Sequence, residues 1–518
     1  MTSFGTFTVL YMGAFLLHLS EEWDQPLVTL GFFALSLWIA FSRPSIARFA
    51  IFLLASSLFY LALLFPDLAN HSNVILSTNL CLLIGILVMG RGRSAAELCT
   101  GTLFPTIRLL LVVVYAMAGF HKLNHDFFDP TVSCISDFLG RGRRELTATV
   151  LRVPGLVVTA AGLTALALLG RRLRTARPLS GAWRLALPAL LFLAALALLL
   201  LALAAPVLLP ASVAGAVVVA LAAVIALWEL GGGLLLLFPR TQGWMLAAAW
   251  IAHGSLALIG FVDFGSLALA MLFVFLPPAY ARVVADRTVA LPDGRRITAV
   301  RAYLLMVAGI ACLTALHHRL GISLGSIRLL SGILFNGAVL FLLWPLLEAL
   351  RRPDRAPWRG VPLLAPDSPP LVGLCGAGLL AFGMTSYLGL RTAGNFSMFS
   401  NLRTEGSRSN HLLLGSNPIK LWGYQEDVVQ VLQAGTKGSA LDRRLSGYAL
   451  PVVELRKWIH DWTADGHAVP ITFVYRGRIH TSADITRDPA WRTRGIDGEM
   501  AWMDFRPIQA AGPNRCRW

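Results

Sequence analysis

The sequence predicts an all-α polytopic membrane protein of about 11–13 transmembrane helices, followed by a small extracytoplasmic α+β domain. Three observations predict it. Of 518 residues only 14% are charged and 56% are apolar, whereas a soluble domain carries about 25% charged residues. Mean hydropathy is +0.66. Apolar windows recur along residues 1–390, many near the roughly 20 residues needed to cross about 30 Å of hydrocarbon. A water-soluble enzyme and a disordered chain are excluded on this reading.

Thirteen windows qualify as spans: 4–20, 27–42, 47–67, 73–90, 102–120, 147–170, 185–206, 211–238, 243–260, 264–280, 302–317, 328–350 and 370–390. The first lacks a basic leader and precedes Glu21, Glu22 and Asp24, so no cleavable signal is expected. The net charge of +16 would suggest nucleic acid in a soluble protein. Here the basic residues sit in short loops and report topology, and no nucleic-acid partner is expected. The even-numbered loops hold 19 Lys or Arg and the odd-numbered loops hold 6. Cytoplasmic loops are the basic ones, so the N-terminus is expected inside and residues 391–518 outside. Arg outnumbers Lys by 40 to 4 in a chain rich in Ala, Leu and Gly, which suggests a GC-rich bacterial host and its inner membrane.

Residues 391–518 contain no span-length window. Segments 425–434 and 452–462 read as helices. Ile471–Tyr475 and 478–481 flank Arg476-Gly477 and read as a hairpin. The polar stretch 399–417 joins this domain to the last span. The cysteines form no CxxC pair, and no metal site is expected. Cys134 and Cys516 both fall outside on the charge count, where disulfides persist, so a bond between them is one reading and two free thiols are the other.

Lys122 is the only lysine in residues 1–419. A desolvated lysine can lose its proton and an arginine cannot, so Lys122 is a candidate base, although an interfacial lysine could also snorkel to water. His71 opens the fourth span from the same side and could orient it. Glu229 and His253 fall within the eighth and ninth spans and Arg108 within the fifth. Ionisable residues in spans point to function, although a pair that only fixes helix packing is an equal alternative. Lys420, Lys437 and Lys457 lie in the soluble part, where a change to Arg is expected to be silent.

Ala118-Gly119-Phe120-His121-Lys122-Leu123-Asn124 resembles the signature of the HTTM superfamily, the bacterial relatives of vitamin K-dependent gamma-glutamyl carboxylase. In that family an aromatic residue, Ala-Gly, an apolar residue, two lysines, Leu and Asp make the run. The second lysine is the catalytic base and falls on Lys122, while the first falls on His121. Asn70-His71-Ser72 resembles the family's Asn-His-Ser, whose histidine supports the lysine. Residues 400–411 resemble the glutamate-binding run with its Ser-Arg-Ser, here Ser407-Arg408-Ser409. Arg408 would then anchor a carboxylate through its bidentate fork, beside Ser407 and Asn401. A Trp of the family falls on Asn401 and a His on Gly406.

The resemblance implies a membrane-embedded carboxylase-like lyase. A lysine deprotonates a reduced quinone, of the vitamin K or menaquinone type. Reaction with oxygen makes a base strong enough to remove a glutamyl γ-proton, and carbon dioxide captures the carbanion. Tyr115, Glu229 and His253 would line the quinone pocket, and the partners would be the lipid bilayer and a peptide or protein substrate. The competing class is a transporter, or a quinone-binding membrane protein without carboxylation, with Glu229, Arg108 and His253 along a pathway. An enzyme should gather His71, Lys122 and Arg408 in one pocket.

Overall fold

The structure is a computed structural model that describes residues 2–22, 26–42, 44–65, 67–140, 211–258, 260–290, 294–351, 360–406, 409–415, 420–492 and 502–516. The chain is mostly helical, with a small sheet near the C-terminus. The expected spans 147–170 and 185–206 lie outside the described residues. The main helices are α1 (Ser3–Glu22), α2 (Pro26–Phe41), α3 (Ile46–Phe59), α4 (Asn70–Met89), α5 (Phe104–His121), α6 (Ala211–Leu237), α7 (Gln242–Leu258), α8 (Val262–Phe273), α9 (Ala299–Leu320), α10 (Leu324–Arg351) and α11 (Pro370–Gly383). Each coincides with an expected window. Among the described residues, seven helices are long and apolar enough to cross a membrane, and α2, α8 and α11 are shorter apolar helices.

Composition and packing sort these helices. In α1 94% of the apolar window is buried, and it packs between α8 and α9. A helix that is apolar all round belongs inside. Phe7 stacks on Tyr11 and meets Phe49 and Phe104 edge-on, the geometry that aromatic quadrupoles favour. The window of α6 is more apolar still, yet only 11% of it is buried. It lies at the rim and leaves Leu227 and Leu234 exposed, as does α4 with Leu87. Such apolar outer faces suit contact with lipid.

The C-terminal region forms a five-stranded antiparallel sheet. Its strands are β3 (Val428–Ala434), β4 (Tyr448–Pro451), β5 (Ile471–Tyr475), β6 (Arg478–Ser482) and β7 (Ile508–Gln509), in the order β6-β5-β3-β4-β7; β1 (Thr288–Ala290) and β2 (Arg296–Thr298) form a separate hairpin. Helix α12 (Val452–Ala464) follows β4, and its Leu455 and Ile459 share a core with Val429, Val431 and Phe473. The expected hairpin is present: Arg476 and Gly477 take φ of 48° and 74°, as a two-residue turn with both φ positive requires. The expected helix over 425–434 is instead strand β3. Val429 and Val431 alternate inward, and the register then shifts between Val431 and Gln433 so that Ala434 is buried. That bulge turns period two into a spacing of three, which reads as helical.

Two devices fasten this region to the helices. Cys134 and Cys516 form a disulfide, with Cα atoms 4.7 Å apart. Elsewhere, Arg391 pairs with Asp504 at 3.1 Å, and Lys457 of α12 reaches Asp67, in the loop before α4, at 2.7 Å. Lys457 also lies 3.5 Å from Glu454, whose other oxygen accepts the Phe505 N–H. Burial pushes the Glu454 carboxyl up to about 8, and Lys457 opposes the rise. A carboxyl raised on folding contributes stability below its unfolded value, and that contribution is lost as pH rises through the folded value. Thermal unfolding midpoints are therefore expected to fall between pH 5 and about 8, and Glu454→Gln to flatten that fall. Identical pH profiles for both proteins would refute the assignment.

Candidate functional site

Helix α5 ends at Lys122, which has φ −81° and ψ −9°, and the N–H groups of Lys122 and Leu123 donate back to Gly119 and Phe120. Asn124 is extended and caps the next turn by accepting the Phe127 N–H at 2.9 Å. Its amide nitrogen donates to the carbonyls of His121 and Ser400. Asn124 also forms a lone β-bridge with His411. The motif 118–124 is thus where the helical body joins the post-membrane segment. Within it, His121 sits fully buried between the Tyr387 hydroxyl at 2.8 Å and the Asn395 carbonyl at 3.2 Å.

Lys122 is 3% exposed, and its Nζ lies 2.6 Å from Oε2 of Glu229. The same Nζ donates to the Met398 carbonyl at 3.2 Å. The contact is an ion pair. Small residues put the two groups in reach. A Cβ added at Gly119 would lie 2.4 Å from the Leu230 backbone nitrogen, and one at Gly233 would lie 3.2 Å from the Val112 carbonyl. Glycine lets the two backbones approach and so sets Glu229 beside Lys122. Gly119→Ala is expected to lose about 1–3 kcal/mol through overpacking, read as a lower unfolding midpoint in detergent. An unchanged midpoint would mean that the helices are not this close.

Two turns before Lys122, the Tyr115 hydroxyl lies 2.6 Å from Nε2 of His253 on α7, and both side chains are buried. Helix α5 thus carries two polar contacts two turns apart, Lys122 to Glu229 on α6 and Tyr115 to His253 on α7. His253 borders a small, partly open apolar pocket whose walls include Leu246, Trp250, Leu272, Phe335 and Val339. Its Nδ1 is buried and has no hydrogen-bond partner among the described residues. An orphaned ring nitrogen at an apolar cavity is costly unless a ligand atom meets it.

Other expected residues lie elsewhere. Nε2 of His71 faces Asp263 at 3.8 Å. Asn401 is 2% exposed and spends its side chain on the backbone: its oxygen accepts the Cys134 N–H at 2.7 Å, and its nitrogen donates to Val132 and Asn514. It braces the disulfide rather than opening to a substrate. Arg108 donates to the carbonyls of Val274 and Pro362, a structural use. Ser407 and Arg408 lie outside the described residues. Lys420 and Lys457 are not idle: the first donates to the Gly406 carbonyl at 2.7 Å and the second joins the ion network above. Lys437 alone of the three is exposed.

Two residues beside His71 went unnoticed in the sequence, His18 and Asp263. The available signal was weak: one histidine inside the apolar run of α1, and one aspartate opening that of α8.

No protein-family profile, curated protein or solved structure matches the chain. The arrangement offers a buried amine–carboxylate pair and, two turns away on α5, a phenol–imidazole pair beside an apolar pocket.

Proposed function

We propose that the chain is a membrane-embedded enzyme that draws on a reduced quinone, of the HTTM and gamma-glutamyl carboxylase-like kind. On this reading it resides in a bacterial inner membrane with residues 391–518 outside. The observation that carries the proposal is the buried Lys122–Glu229 pair on the same helix as the Tyr115–His253 contact at an apolar pocket. On this reading the apolar walls would widen to take a flat ring with polar oxygens, and His253 would be its polar neighbour. When bound, the reduced quinone would supply the reducing power that turns oxygen into a strong base.

The chain's own residues would manage protons. On this reading Lys122 would accept the quinol proton as a neutral amine, with Glu229, 2.6 Å away, holding the proton that the amine gives up. Tyr115 fixes the His253 ring through Nε2 and so aims Nδ1. Carboxylation of a glutamyl substrate, with carbon dioxide as co-substrate, is the finer part of the proposal and rests on the family resemblance. The transporter reading is weaker, because Arg108 spends its guanidinium on carbonyls instead of lining a path.

The test is to purify the protein in mild detergent, extract it, and identify any quinone by mass spectrometry. A quinone near one per chain in wild type and at least tenfold less in His253→Phe is expected. No quinone, together with no uptake of added menaquinol, would overturn the proposal. A reporter fused to the C-terminus and active only in the cytoplasm should stay silent; activity would refute the orientation.

A further inference from the structure

We propose that His18, His71 and Asp263 form a binding site for a divalent transition-metal ion such as Zn²⁺, independent of the quinone site. The three residues come from α1, α4 and α8, and their ligand atoms all lie within 4.8 Å of one another. Each imidazole Nε2 lies 3.8 Å from the same oxygen of Asp263, and the two rings are 4.7 Å apart. At 3.8 Å neither contact is a hydrogen bond.

The distances match a metal's first requirement. A tetrahedral Zn²⁺ with bonds of about 2.0–2.1 Å holds its ligand atoms about 3.3 Å apart. Side-chain rotations that shorten each 3.8 Å gap by about half an ångström, and bring the two imidazole nitrogens, within 4.8 Å of each other, to the same spacing, would close the site. Two imidazoles and one carboxylate form a donor set suited to Zn²⁺, Co²⁺ or Fe²⁺, and a fourth position would remain for water or substrate.

The surroundings match the second requirement. His18 is fully buried, and its Nδ1 lies 2.7 Å from the Ala14 carbonyl. A carbonyl only accepts, so Nδ1 carries the proton and Nε2, the atom facing Asp263, keeps its lone pair. Anchoring a ligating histidine through its other nitrogen is the usual support for a metal. The side chain of Asp263 is 8% exposed, and its ion-pair contacts among the described residues are the two imidazoles. No lysine or arginine among the described residues neutralises it, and a dication would. The His71 side chain is 25% exposed, which gives an ion a way in.

The test uses the full chain without a metal-affinity tag, stripped with a chelator and titrated in detergent with Zn²⁺ and with Co²⁺. Wild type is expected to take up one equivalent, and bound Co²⁺ to show the intense visible bands of low coordination. His71→Gln and Asp263→Asn should each weaken Zn²⁺ binding by at least 100-fold, whereas His467→Gln, at an exposed histidine, should not. Zn²⁺ should raise the unfolding midpoint of wild type and leave that of Asp263→Asn unchanged, because binding to the folded state stabilises it by mass action. Folding of each variant is checked by its elution profile. Folded wild type that retains no metal, or equal affinity in wild type and both variants, would overturn the site.

Discussion

Lys122→Arg is expected to lower quinol turnover by about 10²- to 10⁴-fold, the usual contribution of a positioned proton-transfer group, with the fold retained. Arg keeps the positive charge, and its fork can still pair with Glu229, so an interfacial anchor would tolerate the change. A proton acceptor would not, because a guanidinium stays protonated. Lys122→Met is a different experiment: it strips Glu229 of a partner held at 2.6 Å and costs stability as well. Lys437→Arg, at an exposed position, is the silent control, whereas Lys420 and Lys457 are engaged and unsuitable. Wild-type turnover by the Arg variant would remove Lys122 from the chemistry. His71→Ala is expected to act through Asp263, and therefore to leave the proton steps at Lys122 less affected.

Cys516→Ser is expected to destabilise the protein by about 2–5 kcal/mol, the typical cost of losing a native disulfide. The bond joins residues 382 apart. Cys134 and Cys516 pack with Phe127, Ile135 and Val218, while Asn401 clamps Cys134 and Asn514. Without the bond, the region around Asn514 keeps those hydrogen bonds but loses its covalent tie. Wild type should resist thiol labelling at both cysteines until reduced, and its unfolding midpoint should drop on reduction to that of the variant. Ready labelling of both cysteines in native membranes would refute the pairing.

The helices were legible because apolar runs of span length have few alternative readings, as α1, α4 and α9 illustrate. The hairpin at Arg476-Gly477 was legible from its turn chemistry alone. β3 was not: its bulge disguises the alternation of Val429 and Val431, although three valines in four residues favoured a strand. Lys122, Glu229, Tyr115 and His253 each stood out as single residues. Their convergence did not, because it depends on how Gly119 lets α5 settle against α6. His71 was paired with Lys122 on sidedness, but its ionic partner Asp263 lies almost two hundred residues away, a separation at which local pattern carries no information.

The covalent ring closed by Cys134 and Cys516 also fixes an order of events during biogenesis. Cys134 follows Lys122 by only 12 residues, whereas its partner lies 382 residues on. The bond can form only after residue 516 has been synthesised and delivered to the same oxidising side as Cys134. The helices between them must therefore be threaded first, and an error in orientation that left the two cysteines on opposite sides would leave both thiols free. On the proposed orientation, closure of this ring reports that the two cysteines have reached the same side, since an odd number of orientation errors between them would keep it open.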